Sequence, residues 1–297
     1  MAVTRSLVST SATNVPLASY AVVSIGVEGA DPHDRGAGGA RSLGRVTDSD
    51  VLERLAVLAG RSWSFEALAG GLNNSAFRVR TTDGRRPELD LVVRHWPEDD
   101  GLDHDVELVA SVAAAGAGVG PAVVAHQPAD RLIAFEHVPG RSLTAADLHD
   151  DATLARVAAT LRRLHEVAAD VPELGLLART TVPEDVAAAL AEDPEPLVLC
   201  HNDLVPDNLV DDGTTVTLID FEYAGRAEPS AELAGLAVGA GFDDERVALL
   251  VRLYDGVPAP DRLGRVRLWQ VVVRRLWSDW ARANGHPQWV LDDLGLL

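Results

Sequence analysis

The stretch HNDLVPDNLVDDGTTVTLIDFEYAG, residues 201–225, is the most informative part of this chain. Two short apolar runs, LVL at 197–199 and VTLID at 216–220, each lead into a group of polar residues. Short runs rich in Val, Leu and Ile predict buried strands. The polar residues at their ends are His201, Asp203, Asn208, Asp220 and Glu222. We expect two adjacent strands whose ends present these side chains at one edge.

These residue types meet the requirements for moving a phosphoryl group from ATP to an alcohol. The triphosphate must be held in line with the hydroxyl group, and the hydroxyl proton needs an acceptor. Carboxylate and amide oxygens are the ligands that Mg²⁺ prefers. We therefore predict that Asp203 is the catalytic base and that Asn208 and Asp220 hold Mg²⁺.

HNDLVPDN at 201–208, taken with LIDFEYAG at 218–225, resembles the kinase-like small-molecule phosphotransferases. This family includes choline/ethanolamine kinases and aminoglycoside phosphotransferases, and the Glu-Tyr pair is most similar to the choline-kinase branch. The resemblance covers roughly residues 65–285 and is specific only at 201–222. It implies an α+β, protein-kinase-like fold of two lobes, with ATP and Mg²⁺ as cofactors.

The alternative interpretation is a pair of loops that carry Asp and Asn only because these residues form turns. We assign that ordinary role to Asp207, Asp211 and Asp212. Turn formation does not explain why four polar residues match their chemical roles at the family's spacing.

The chain before residue 138 predicts the order β-β-β-α-β-β. Its strand-like segments are FEALAGG (65–71), SAFRVRTT (75–82), LDLVVRHW (89–96), AVVAHQ (122–127) and RLIAFEHV (131–138). The Asp-Gly pair at 83–84 is typical of a hairpin turn. Helical spacing of apolar residues predicts helices at 47–60 and at about 103–115.

Helical periods dominate the rest of the chain. The segments are 142–168, 183–192, 231–255 and 261–284. VPGRSL at 138–143 is the natural hinge between the two parts. We predict an N-terminal nucleotide-binding lobe at 46–138 and a C-terminal catalytic and acceptor-binding lobe at 139–297.

Residues 1–45 are rich in Ser, Thr, Gly and Ala without any period, which predicts a disordered extension. Residues 15–27 weakly resemble the apolar part of a signal peptide, but only Arg5 precedes them. We therefore expect a cytoplasmic enzyme.

Composition narrows the class of partner. The net charge of −19 argues against nucleic acid and anionic membrane surfaces and favours cationic ligands. Cys200 is the single cysteine, so no disulfide can form within the chain. All 26 Lys or Arg positions are arginine, so a permanently charged side chain in an active site must be Arg. We expect a small-molecule acceptor as the partner, and the oligomeric state stays open.

Three segments are candidates for binding ATP. The candidate residues are Gly70, Gly71, Asn73, Asn74, Ser75, Arg94, Glu107, Glu136 and Val138. The glycine turn in GGLNNSAFRV at 70–79 lets the backbone approach phosphates, although a plain hairpin turn has the same composition. LIAFEHVPG at 132–140 resembles the family's adenine-binding linker, in which backbone groups near Glu136 and Val138 would contact the base.

Kinases of this type need a cation on the third strand, paired with a carboxylate on a helix. Arg94 stands after the apolar run of LDLVVRHW, and its predicted partner is Glu107 in DHDVELVAS. Arginine can fill this role because it is permanently charged and binds phosphate through two donors. The ordinary alternatives are a strand-edge charge for Arg94 and a solvated glutamate for Glu107.

The acceptor is the least defined part of the site. Trp269, Trp277 and Trp280 share one broad helix face at about 100° per residue, and WSDW resembles the W-x-x-W of choline kinases. Trp277 and Trp280 are candidates for a cation–π cage, with Tyr223 and Glu222 beside them. Tryptophans at helical spacing also serve as ordinary core filling.

Two positions depart from related patterns. Asn202 stands where protein kinases usually carry an Arg, and few residues separate DFEYAG from the next helix, which leaves no room for a long activation loop. Glu232 occupies the place where the family usually has the Asp that braces the catalytic loop. His165, in LRRLHEV, is interpreted as a packing residue.

The sequence thus predicts an ATP:alcohol phosphotransferase for a small, cationic, choline- or ethanolamine-like metabolite. Two alternatives stay open. One is an aminoglycoside or amino-sugar kinase, and the other is an inactive nucleotide-binding scaffold.

Overall fold

A computed structural model describes residues 48–68, 75–98 and 100–283 of the chain. The predicted extension at 1–45 lies outside the described residues. Four members of the predicted phosphate loop also lie outside them. These are Gly70, Gly71, Asn73 and Asn74.

The first lobe is built on a five-stranded antiparallel sheet with the order β1-β2-β3-β5-β4. Its strands are β1 (Trp63–Ala67), β2 (Ser75–Thr81), β3 (Asp90–His95), β4 (Val123–Gln127) and β5 (Leu132–Glu136). Its helices are α1 (Asp48–Leu52) and α2 (His104–Gly116). From β1 onward, the predicted order β-β-β-α-β-β is confirmed.

The predicted helix at 47–60 is shorter than expected. Its apolar residues are buried as the spacing indicated, but α1 ends at Leu52 and only a 3₁₀ turn follows at Ala56–Leu58. The reason is a competing acceptor, because the Ala56 N–H donates to Gln127 Oε1 at 2.6 Å. A continuous helix would need that N–H for the carbonyl of Leu52.

The second lobe is mainly helical. Its helices are α3 (Asp151–His165), α4 (Glu184–Glu192), α5 (Pro229–Gly239), α6 (Asp244–Asp255) and α7 (Pro260–Ala283). Its short strands are β6 (Arg141–Ser142), β7 (Val198–Cys200), β8 (Leu209–Asp211), β9 (Val216–Leu218) and β10 (Gly225–Ala227). Helix α5 packs along α7, and α3 packs on α6. None of the helices in the described ranges is both long and apolar enough to cross a membrane.

Two helix predictions in this lobe were wrong, one in where the helix begins and the other in its continuity. Helix α3 begins only at Asp151, where Asp150 Oδ2 caps it by accepting the Thr153 N–H at 2.8 Å. The predicted helix at 231–255 is two helices, because the chain turns through Gly241 at φ 64° and Asp243 then caps α6. Glycine adopts such a positive φ without strain.

The prediction that the two apolar runs form adjacent strands was also wrong. Strand β7 pairs with β10, whereas β9 pairs with β8 in a separate sheet that also contains β6. Strands of three residues carry too little pattern to specify their partners. The loops after β7 and β9 nevertheless lie side by side.

At the predicted hinge, the chain packs closely against a strand of the second lobe. After β5 the chain passes Gly140, whose φ is 127°, and enters β6, which pairs with β8. A Cβ at Gly140 would lie 2.6 Å from the carbonyl oxygen of Asp211, so only glycine fits here. The exact boundary between residues 138 and 139 stays a prediction.

Candidate active site

The loop after β7 is held in place by Glu232, from the first turn of α5. Its Oε2 accepts the backbone N–H of His201 at 2.9 Å, and its Oε1 accepts that of Asn202 at 2.8 Å. Asn202 has φ 65°, a left-handed conformation that Asn tolerates better than most residues. The longer side chain therefore does brace this loop.

Glu232 is itself fixed by buried partners. Its Oε2 lies 3.1 Å from His165 Nε2, while Tyr254 Oη lies 2.8 Å from His165 Nδ1. Burial opposes the charge of Glu232, but the hydrogen bond from His165, the nearby histidine rings and the backbone N–H of Asn202 give it a lowered pKa. The interpretation of His165 as a packing residue agrees with these contacts.

Two hydrogen bonds join this loop to the one after β9. His201 Nε2 contacts the carbonyl oxygen of Ile219 at 2.7 Å, and the Ile219 N–H donates to the carbonyl of Asn208 at 3.0 Å. Asp220 follows directly and has φ 71°. The predicted base and metal ligands thus stand on two loops that are bonded to each other.

Asp203 and Asn208 are in direct contact. The amide nitrogen of Asn208 donates to the Asp203 carbonyl oxygen at 2.9 Å and to its Oδ2 at 3.2 Å. Both residues are buried. Because the nitrogen end of the amide is used, the oxygen end is the one that can ligate a metal ion.

Arg94 lies opposite these loops, on β3, and its guanidinium meets three carboxylates. Its Nη1 is 2.6 Å from Glu107 Oε1 and 2.6 Å from Asp220 Oδ1, and its Nη2 contacts Glu222 Oε2. The predicted contact between Arg94 and Glu107 is therefore present. Although burial opposes its charge, the surrounding carboxylates, Asp220 foremost, raise the pKa of Arg94 above its ordinary value.

The cluster around Arg94 carries an excess of negative charge. Burial and the neighbouring charge of Asp220 raise the pKa of Glu222 to about 8, and the more distant charges of Glu107 and Asp203 act in the same direction. A carboxyl group in this position keeps its proton more readily than usual. The arrangement is one that a bound cation would stabilise.

The remaining nucleotide-site candidates on the sheet lie toward opposite ends of β3, because Ser75 pairs with its last residue and Glu136 with its second. Ser75 opens β2 and pairs in register with His95, next to Arg94. Glu136 ends β5, and its N–H donates to the Ala122 carbonyl at 2.9 Å, so an adenine could be met by its carbonyl rather than by its N–H. Val138 is half-buried in the connection between the lobes.

The aromatic candidates are more deeply packed than an open cage would require. Tyr223, Trp277 and Trp280 are all buried. Trp277 lines a small cavity of about 20 Å³ together with Asn202 and Leu204, the two neighbours of Asp203. Trp280 is not among the residues that line this cavity.

Trp269 has a structural role instead. Its Nε1 donates to Glu228 Oε2 at 2.8 Å, and the side chain is buried. It therefore belongs to the core, which was the ordinary interpretation of this residue.

Two residues of the site were missed by the sequence analysis. Tyr254 contacts His165 from 89 positions away, and a separation of that size leaves no local signal. His104 lies 2.8 Å from Glu107, and here the spacing of three residues along one helix was a usable signal.

The fold is α+β and protein-kinase-like, as predicted. It has a sheet-rich first lobe and a helical second lobe, and the loops after β7 and β9 lie side by side. The sequence profile of the phosphotransferase enzyme family matches residues 64–184 and 172–269. These matches cover well over half of the chain, so the chain belongs to the phosphotransferase enzyme family.

Individual proteins agree with this assignment. The human choline/ethanolamine kinase is 23% identical over 197 residues, which are 53% of this chain and 49% of the human protein. The match thus spans about half of that relative. A choline/ethanolamine kinase family protein from Mesorhizobium loti is 27% identical, with a TM-score of 0.68 over 83% of this chain and 91% of that chain.

The fold similarity extends to a second branch. The ADP-bound aminoglycoside phosphotransferase APH(2'')-Ib is 15% identical, with a TM-score of 0.58. The match covers 84% of this chain and 96% of that chain. At this identity the likeness concerns the fold alone.

Proposed function

We propose that this chain is an ATP- and Mg²⁺-dependent phosphotransferase that phosphorylates a hydroxyl group of a small cationic metabolite of the choline or ethanolamine class. The observation that carries the proposal is that the loop with Asp203 and Asn208 is hydrogen-bonded, at 2.7 and 3.0 Å, to the loop that carries Asp220. Family membership and the choline/ethanolamine kinase relatives support it.

The donor set around Asp220 fits Mg²⁺. Asn208 offers an amide oxygen and Asp220 a carboxylate, both hard ligands. The excess of negative charge that raises the pKa of Glu222 also favours a cation at this position. Mg²⁺ held by Asn208 and Asp220 would offset the negative charge of the nucleotide phosphates. Glu222 does not act as a metal ligand in this proposal. It contacts Arg94, which in turn contacts Asp220, and so helps to fix the metal site.

Asp203 would accept the proton of the acceptor hydroxyl. The amide nitrogen of Asn208 holds one of its carboxylate oxygens, which fixes the orientation of the group before the substrate arrives. The loop that carries Asp203 is in turn fixed by Glu232. Such preorganisation lowers the entropic cost of aligning the hydroxyl with the phosphate.

Replacing Arg94 with alanine is expected to raise KM for ATP by about 30-fold or more, since truncating a buried, hydrogen-bonded charge costs about 2–5 kcal/mol. The measurement is steady-state ADP release at saturating acceptor. Arg78→Ala is the matched control, because Arg78 stands on the neighbouring strand β2 and contacts Asp90 at 2.6 Å in a half-exposed pair. An unchanged KM in folded Arg94→Ala protein would remove Arg94 from the nucleotide site.

The acceptor is identified by an ADP-release screen over choline, ethanolamine, thiamine, amino sugars and aminoglycosides, with Asp203→Asn as the negative control. Turnover of choline or ethanolamine supports the proposal. Turnover of amino sugars or aminoglycosides alone would assign the chain to that other branch. ATP binding without any turnover would favour a nucleotide-binding scaffold.

The role of Trp277 is tested by replacement with leucine, which keeps most of the apolar volume but removes the aromatic face. We expect KM for a quaternary ammonium acceptor to rise by about 2–30-fold, the range of a cation–π contact of 0.5–2 kcal/mol. KM for ATP should not change. Trp63→Leu, on the outer strand β1, controls for the general effect of losing a tryptophan. If wild type, Trp277→Leu and Trp63→Leu had equal KM values for the acceptor, Trp277 would not be part of a cation–π cage.

A further inference from the structure

His104, in the first turn of α2, is held between two carboxylates. Its Nδ1 lies 2.8 Å from Glu107 Oε2, and its Nε2 lies 2.9 Å from Asp100 Oδ2. A neutral imidazole carries only one N–H, so it can donate to only one of the two. Both contacts are hydrogen bonds at once only when the ring is an imidazolium.

The ring is also fixed on its face. It stacks on Trp96 with ring centroids 4.0 Å apart and an interplanar angle of 19°, and His126 stacks on Trp96 at 5.9 Å. Trp96 stands two residues after Arg94, so the two side chains share one face of the β3 backbone. His104 and Glu107 are three apart on α2 and share a helix face in the same way. The contact between Trp96 and His104 therefore lies beside the contact between Arg94 and Glu107.

Glu107 is buried, and each of its two oxygens has its own cation. Arg94 Nη1 holds Oε1 at 2.6 Å, while His104 holds Oε2. A carboxylate held at both oxygens cannot rotate about its terminal bond without losing a partner. The orientation that Glu107 presents to Arg94 thus depends on His104.

We propose that His104 in its protonated form is a positioning residue, which fixes Glu107 and thereby holds Arg94 in place for the nucleotide phosphates. The inference rests on the proposed function of Arg94. Charges alternate along the row Asp100, His104, Glu107, Arg94. Loss of the proton on His104 leaves Glu107 with a single cationic partner and frees it to turn.

The groups that face His104 determine the sign of the pH dependence. Burial opposes protonation, but the hydrogen bonds to Glu107 and Asp100 are stronger and raise the pKa of His104 above its ordinary value. His126 lies beyond Trp96, and Arg94 acts only through Glu107. The protonated form is therefore present at low pH, persists to a higher pH than in an ordinary histidine, and is lost as the pH rises through the raised value. Nucleotide affinity should weaken over that interval.

The test measures the Kd of MgADP by calorimetry from about pH 6 to about pH 10 for wild type and two variants, His104→Gln and His104→Arg. Glutamine removes the charge, so we expect a Kd weaker by about 10-fold at the acidic end of this range, as for other outer groups that orient a ligand. The Kd of this variant should follow only the titrations of the nucleotide and of Glu222, both of which also occur in wild type. Arginine can stack on Trp96 and donate to both carboxylates, so its affinity should stay high at alkaline pH, where wild type weakens. His149→Gln, an exposed histidine far from this row, is the matched control and should follow wild type.

The outcomes separate the inference from the proposed function. If His104→Gln loses thermal stability but binds MgADP as tightly as wild type across the range, His104 is only a packing residue and the inference fails. It fails equally if the affinity of wild type weakens with rising pH no more than that of His104→Gln, in which the nucleotide and Glu222 still titrate. If wild type does not bind MgADP at any pH, the proposed function fails and the inference falls with it. If His104→Arg does not fold, the pH dependence of the Kd in wild type and His104→Gln still tests whether His104 is a positioning residue.

Discussion

Replacing Asp203 with asparagine is expected to lower kcat by about 10²–10⁴-fold, the usual contribution of a positioned general base. Asparagine has nearly the same shape as aspartate, but its amide cannot take the proton of the acceptor hydroxyl. Its oxygen can still accept from the Asn208 amide, which is 3.2 Å from Asp203 Oδ2. The melting temperature and KM for ATP should therefore stay close to wild type. The measurement is ADP release at saturating concentrations of both substrates.

Asp207→Asn is the matched control for this experiment. Asp207 lies in the same loop, four residues further on, but it is exposed and belongs to a 3₁₀ turn. The same chemical change there should leave kcat within about twofold of wild type, since surface substitutions away from a site have small effects. If Asp203→Asn kept most of its turnover, the base would have to be another group.

The order of secondary structure was predictable because it is encoded in local periods. Alternating residues in β2 and helical spacing in α2 are visible within ten residues of sequence. Helix ends were less predictable, because they depend on which acceptor takes an N–H. The Ala56 N–H finds a side-chain oxygen of Gln127, 71 positions away, and the helix stops. The residues around Ala56 do not predict a hydrogen bond to Gln127.

In the site, too, residues in a local motif could be predicted, whereas contacts between distant parts of the chain could not. Asp203, Asn208 and Asp220 could be named because a short motif contains all the oxygen ligands that the chemistry needs. Pairing of the short strands could not be named, because three residues of β7 fit β10 as well as β9 by pattern alone. The contact between His165 and Tyr254 joins α3 to α6 and depends on how these helices pack. Such contacts become visible only after the lobe has folded.

Glu232 shows how a substitution at one position can be absorbed by geometry. From the first turn of α5, a glutamate reaches two successive backbone N–H groups, at 2.9 and 2.8 Å. The helix N-terminus and His165 stabilise its negative charge. The departure from the family's usual Asp therefore gives no reason, on this geometry, to expect a loss of the loop that presents Asp203.

Replacing Glu232 with alanine is expected to lower the free energy of unfolding by about 3–5 kcal/mol, because each buried group left without its partner costs about 1–3 kcal/mol. The truncation leaves the N–H groups of His201 and Asn202 buried without their acceptor, and it removes the partner of His165 Nε2. Urea unfolding of wild type and variant measures the difference. Glu245→Ala is the matched control, because Glu245 also lies in the first turn of a helix but is exposed.

Glu232→Asp separates the two functions of this side chain. The shorter carboxylate keeps the charge, but it cannot reach both N–H groups without moving the loop, so we expect an intermediate loss of stability and a lower kcat at saturating substrates. Should Glu232→Ala unfold within about 1 kcal/mol of wild type, the loop must be held mainly by its bonds to Ile219 and Asn208. If stability fell while kcat per folded molecule did not, Glu232 would stabilise the helical lobe without setting the position of Asp203. A parallel fall in both is the result expected when one buried carboxylate fixes the fold and the catalytic loop together.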